Sequence, residues 1–576
     1  MSSIRETEPV GDAAVNAIHG LADRYVAGYF DVFPDSATLA GRTEAAHDRL
    51  PNISAAARER WHAEQDAILA GLDEVDVGGI PAGHPAAVTA AFLRELLESS
   101  RAFRSCRTEL WNVSPSFNGW PQHMAVLAGA QPVESPEDRD AALRRFAELP
   151  RYIEQEIENA REGIRLGYTS PRSNVRAVIQ QIDALRAAPA ADSPFVAMAE
   201  PGSDFQHRLV ELETARLRPA IARYRDFVRD EYLPAARESI GLSELPDGER
   251  AYRSVIRYYA NVDMAPEDVH RLGLEQIERA RAEMRQLARA EFGTSDVAGL
   301  LERFRTDPAF LFTSREELMR VARDAVARGK AAAPEWFGRR PVADVVVKPV
   351  PAFAEATAPA GYYRAPSEDG SRPGIYYINL HEAERQPRAG LESTAFHETV
   401  PGHHLQLALA VERQDLHPIS RYFFLSGFGE GWALYSERLA DEIGLFTGPV
   451  DRIGMLTNEA FRAARLVVDP GIHVMGWTRQ QAIDYLLEHT AEPAATAAAE
   501  VDRYIAVPGQ ATSYMIGRLE ITRLRDLARS RLGSDFDLRE FHDRVLEDGS
   551  VPLRVLREKV ERWLERAQRG NTEASR

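Results

Sequence analysis

The chain has 576 residues and a single cysteine, Cys106. That excludes an intramolecular disulfide and any zinc site built on several thiolates. Cys106 follows Arg101, Arg104 and Ser105 in a helical-looking stretch and reads as a small buried side chain. Long apolar runs are missing too: none approaches the roughly 20 residues that a membrane span needs. The opening residues, 1–20, mix both charge signs and hold no apolar core of the signal-peptide kind. A cytoplasmic protein is the expectation. Positive charge is in short supply, with 70 Lys and Arg against 87 Asp and Glu and a net charge of -17. Binding phosphates needs a basic surface, so a nucleic-acid partner is not expected.

What remains is a helical protein of ordinary globular composition, 44% hydrophobic and 27% charged. Ala, Arg, Glu and Leu dominate, and apolar positions recur at three and four residues over 55–72, 86–103 and 208–233. One region departs from this. Residues 342–353 are rich in Val and then Pro, and after a polar Gly/Pro loop residues 374–380 form a second β-like run. The fold class expected is mainly α, a large multi-helix unit with a small sheet ahead of a His-bearing helix. Residues 1–340, mainly helical, are expected to form one wall of a deep cleft. Residues 341–576 would be the catalytic region, with an approximate boundary inside one continuous unit.

The chemistry concentrates in His397-Glu398-Thr399-Val400-Pro401-Gly402-His403-His404. In the zincin pattern HExxH, two His at i and i+4 bind zinc from one helix face and the Glu is the general base. Here i+4 is Pro401, which has no ligand atom. The candidates are His403 and His404, at i+6 and i+7. A kink or bulge at Pro401-Gly402 would swing His403 back toward His397, leaving His404 as pocket wall or support. The alternative is a packed histidine pair with no metal. Glu430 in FGEGWALYSER (428–438) is the expected third ligand, with the fourth position open to water. Glu437, two turns further on, would orient a ligand through a hydrogen bond or be a metal ligand itself.

With HETVPGHHLQ (397–406) and FGEGWALYSE (428–437) in place, the sequence resembles the bacterial family DUF885. Three further segments strengthen the likeness: RPGIYYINL (372–380), 464–486 and VDRYIAVPGQATSYMIGRLE (501–520). The resemblance implies one zinc ion held by His397, His403 and Glu430. It also implies a helical fold akin to gluzincins such as angiotensin-converting enzyme and the thermostable carboxypeptidases. There is one departure: Met515 stands where a Lys is expected after Tyr514, which puts a cation's role there in doubt.

The expected reaction is amide hydrolysis, with Glu398 as general base. Tyr514 and His473 are candidate oxyanion donors; their plainer readings are a packed aromatic and a turn histidine. Arg465, Arg503 and Gln510 are candidate binders of a substrate carboxylate or amide. Arg465 could equally pair with Asp469, and Arg503 with Glu500. Tyr376, Tyr377 and Asn379 are expected along a substrate-binding edge strand. Short peptides are the first substrate class, and a small-metabolite amide the second. The third reading is a metal-binding protein without activity. Nothing in the sequence separates a monomer from a homodimer.

Overall fold

The computed structural model describes residues 10–42, 45–80, 84–350, 355 and 359–574. Residues 1–9 of the opening segment, and residues 351–353 at the end of the first β-like run, lie outside the described residues.

The protein is mainly helical with one small sheet, as the apolar periodicity predicts. The run at 86–103 forms the helix Pro85–Phe103, opened by Pro85 at its first position, and buries Ala90, Phe92, Leu93 and Leu97. The run at 55–72 forms Ala55–Asp73, where the Ser54 hydroxyl accepts from the Ala57 N–H. The run at 208–233 is helical but widens at Glu213–Leu217 and Val228–Tyr232. Each widened turn lies just before a proline, Pro219 or Pro234, which cannot donate to the preceding turn.

The sheet has strand order β1 (Val345–Pro349), β3 (Gly374–Ile378), β2 (Gly361–Arg364). β1 runs parallel to β3 and β2 antiparallel to it. β2 lies in the stretch read as loop, because four residues beside Gly and Pro carry little alternation. The order also corrects the edge-strand expectation. β3 is paired on both sides, so Tyr376 and Tyr377 offer no free strand edge to a substrate.

Eight helices frame the site: α1 (Pro266–Phe292), α2 (Arg315–Trp336), α3 (Leu391–Glu398), α4 (His403–Glu412), α5 (Ser426–Glu442), α6 (Pro449–His473), α7 (Ala494–Ala506) and α8 (Ser513–Leu532). The sheet and helices α2 and α3 share a core of Leu318, Val326, Val345, Tyr376, Ile378 and Phe396. The largest core takes Phe92 and Tyr252 from before residue 340 and Phe428, Trp432, Val467 and Tyr504 from after it. The two regions therefore fold on shared apolar surface, each large side chain contributing about 1.5–3 kcal/mol. Among the described residues no helix is long and apolar enough to cross a membrane.

Candidate metal centre

The expected kinked helix is a complete break. α3 ends at Glu398 and α4 begins at His403, with residues 399–402 between them in non-helical backbone. Pro401 lacks the N–H that would continue the ladder. The Gly402 N–H turns back to the Phe396 carbonyl at 3.0 Å. A Cβ on Gly402 would lie 1.9 Å from the His397 carbonyl oxygen, so only glycine permits this approach. The reversal carries the His403 ring to the His397 ring, with centroids 4.9 Å apart and planes at 90°.

Glu430 enters from α5. That helix crosses α8 at glycines: a Cβ on Gly431 would fall 2.5 Å from the Gly517 carbonyl carbon, and one on Gly517 1.8 Å from the Gly427 oxygen. Gly431, next to Glu430, and Gly517 thus let two backbones touch and hold the carboxylate at the crossing. Trp432 Nε1 and the Ser436 hydroxyl donate to the Pro401 carbonyl at 3.0 and 3.1 Å, pinning α5 to the break between α3 and α4.

The result is a group of three donors, His397, His403 and Glu430, with ligand atoms all within 4.8 Å of one another. Glu430 Oε2 lies 3.5 Å from His397 Nε2 and 3.4 Å from His403 Nε2. Those separations are long for an N–H···O bond. They match the edge, about 3.4 Å, of a tetrahedron whose metal–ligand bonds are about 2.1 Å. Two imidazoles and a carboxylate are a donor set that zinc accepts. The residues fit a divalent ion.

Around this group the supports are in place. His397 Nδ1 donates to Glu437 at 2.8 Å, which leaves Nε2 as the ligand atom. Glu437 also accepts from the Ser393 hydroxyl, one turn before His397 on α3. Glu437 is therefore a support for His397 and lies outside the three-donor group. His403 Nδ1 is buried with no partner among the described residues. His404 points elsewhere: Tyr363 Oη donates to its Nδ1 at 2.8 Å, and its Nε2 donates to the Ala343 carbonyl at 3.1 Å. With both nitrogens engaged, it joins the sheet to α4.

Electrostatics follow. Burial opposes the His397 imidazolium, but attraction from Glu430 and Glu437 outweighs it and pushes the pKa up to about 9. Burial likewise opposes the Glu430 carboxylate, yet His397 and His403 hold it well below the usual range. Burial raises the Glu398 carboxyl, and His397 and His403 pull it back only in part. Glu398 is half-buried, follows His397 directly and has no hydrogen-bond partner among the described residues. The side open to solvent carries Phe424, 47% exposed, with its ring 6.1 Å from that of His403.

The remaining candidates separate. Tyr514 lies within electrostatic reach of Glu430, and its pKa is raised by burial first. The Arg465 guanidinium covers its ring at 4.6 Å. His473 is fully committed: the Leu242 N–H donates to Nδ1 at 3.1 Å and Nε2 donates to the Tyr504 carbonyl at 3.0 Å. Burial depresses its pKa to about 3. Its geometry is that of a turn histidine, with no nitrogen left for an oxyanion. Arg503 donates from all three nitrogens, to Glu500 and to Gln510 Oε1, so Arg503 and the Gln510 oxygen are engaged. Arg465 pairs with Glu500 at 3.1 Å and not with Asp469, whose Oδ1 accepts from Tyr252 and the Gly509 N–H. Tyr376 is fully buried, and its hydroxyl, near Glu398, has no hydrogen-bond partner among the described residues. Tyr377 stacks on Tyr362 at 4.9 Å. Asn379 braces a loop, donating to the Glu355 carbonyl at 2.8 Å and accepting from the His381 N–H. Met515 is buried beside Arg518, which pairs with Glu459 at 2.8 Å.

Sequence reasoning missed Ser393, Tyr363, Phe424 and Arg462. Arg462 carried a signal, as a cation in the mostly apolar run 460–468, one turn before Arg465.

The profile of the family described as "Bacterial protein of unknown function (DUF885)" matches residues 34–560. No curated protein matches the chain. A solved structure described as the "putative lipoprotein from Colwellia psychrerythraea" superposes with a TM-score of 0.86 at 27% identity, over 96% of this chain and 99% of that one. A "putative lipoprotein of unknown function from Shewanella oneidensis" shares the fold, with a TM-score of 0.72 at 19% identity over 94% and 99% of the two chains.

Proposed function

The chain belongs to the DUF885 family, and on that premise we propose that it is a zinc-dependent hydrolase, a metallopeptidase cutting an amide bond of short peptides. The likeness to helical gluzincins, with a deep cleft, belongs to the same proposal. The observation that carries it is that Glu430 lies at a tetrahedral edge from both His397 and His403, with Glu398 beside them and without a hydrogen-bond partner among the described residues.

His397, His403 and Glu430 would hold the ion. When bound, it would supply the polarisation that makes water nucleophilic near neutral pH and draws charge onto a carbonyl oxygen. Glu398 accepts the proton of the attacking water and returns it to the leaving nitrogen as the C–N bond breaks. A carboxyl raised by burial is suited to that exchange, because a base works best with a pKa nearer the operating pH. Glu437 and Ser393 keep His397 in the tautomer that presents Nε2. Tyr514, which lies within electrostatic reach of Glu430, would be the donor to the oxyanion.

Zinc content and hydrolysis of a peptide panel by wild type and Glu398→Gln test this. Both proteins should hold one zinc ion, and the variant should lose about 100-fold or more in kcat. A chain that takes up no zinc, or a variant as fast as wild type, refutes the proposal. Cleavage of non-peptide amides with every peptide left intact would move the substrate class to a small metabolite.

A further inference from the structure

Arg462 stands out because a mostly buried cation is normally paired. Its side chain is 13% exposed, and its nearest carboxylate oxygen, on Glu437, is 3.9 Å away. Among the described residues its one hydrogen bond is a 3.4 Å contact to the Asn458 carbonyl, and its buried Nε has no partner there. Glu437 cannot give it more, because that carboxylate is already taken up by His397 and Ser393. Arg465, one turn on, sits over the same Phe461 ring, and its third nitrogen is also unpartnered among the described residues. Two guanidinium groups with unused donors thus flank one aromatic ring next to the metal centre.

We propose that Arg462, supported by the charge of Arg465, binds the free C-terminal carboxylate of the substrate and restricts cleavage to the last peptide bond. This rests on the hydrolase reading above. A guanidinium matches a carboxylate with two parallel N–H donors. The terminal carboxylate lies one residue beyond the last peptide bond, roughly 4 Å along the chain. Arg462 reaches the centre through the short relay Arg462–Glu437–His397. The Glu398 carboxyl feels the same guanidinium charge, so the cation also acts on the proposed base, and a carboxylate one residue beyond the scissile bond is the substrate group it would attract. An incoming carboxylate also supplies the close, two-pronged acceptor that Glu437, 3.9 Å away, does not.

The test pairs one short peptide with its C-terminal amide, on the zinc-loaded full chain. Wild type should favour the free acid by roughly 10- to 100-fold in kcat/KM, as expected for a charge-assisted contact. In Arg462→Met that ratio should collapse toward one, whatever the absolute rate. Arg462→Lys should keep a fraction of it. Calorimetry on Glu398→Gln supplies a second readout without turnover: the acid should bind more tightly than the amide, and adding Arg462→Met should erase the difference. If wild type treats acid and amide alike, or Arg462→Met keeps the ratio, the subsite is refuted and the hydrolase reading survives. Arg462-dependent binding of the acid with no peptide cleaved sinks the hydrolase reading and leaves the subsite standing. A purely structural Arg462 would change stability and leave the acid-to-amide ratio where it was.

Discussion

Glu437→Gln keeps the shape of the side chain and removes its charge, which isolates what the carboxylate does for the metal centre. In the wild type, His397 Nδ1 donates to Glu437 at 2.8 Å in a fully buried setting. A bond to a charged acceptor contributes about 1.5–3 kcal/mol net, against about 1 kcal/mol for a neutral one. The substitution should therefore weaken the hold on His397 by about 1–2 kcal/mol, or about 5- to 30-fold in zinc affinity. Arg462 would lose its nearest carboxylate as well, so the metal-free protein should also melt earlier. Competition against a chelator near neutral pH measures the affinity, and thermal unfolding with and without zinc separates it from stability. Ser393→Ala, which removes a second donor to the same carboxylate, should show a smaller loss. Wild-type zinc affinity in Glu437→Gln would show that the Nδ1 bond does not tune the ligand. A folded variant that binds no zinc would make Glu437 a ligand in its own right.

Gly402→Ala would place a Cβ 1.9 Å from the His397 carbonyl oxygen. It should cost about 3 kcal/mol or more and abolish zinc binding; an unchanged melting temperature contradicts that account. His404→Ala should keep zinc while leaving Tyr363 and the Ala343 carbonyl unpaired, at about 1–3 kcal/mol for each group; a large fall in zinc affinity would place His404 among the ligands. His473 is neutral when folded, with a pKa depressed from 6.5 to about 3. The unfolded chain takes up that proton first, so this contribution is complete above 6.5 and is lost as pH falls toward the folded value. By about pH 5 it has cost about 2 kcal/mol. Denaturant titrations across that range should show a shallower acid slope in His473→Gln, and an unaltered slope would assign the acid sensitivity elsewhere.

Much of the site was legible in the residues. His397, His403 and Glu430 are reactive types in two compact motifs, and the Pro401-Gly402 pair signals that a straight helix stops. His404 shows the limit. As a residue it is as good a ligand as His403, and only the Tyr363 hydroxyl and the Ala343 carbonyl, brought in by the sheet, take both its nitrogens. The same limit applies to His473, whose partners are backbone groups of Leu242 and Tyr504 that no motif displays, whereas the Arg503–Glu500 pair was legible at helical spacing. β3 read as an edge because the strand that covers its other side has four residues and hardly any alternation.

Sequence alone determined the helical class, the single-thiol chemistry and which side chains could meet a metal, because periodicity and residue type are local properties. Tertiary structure decided which of them do meet. The crossing of α5 and α8 at bare glycines, the partners that occupy or spare each ring nitrogen, and the weakly held cation at Arg462 all arise from segments far apart along the chain. Their approach is set by packing, which no local pattern encodes.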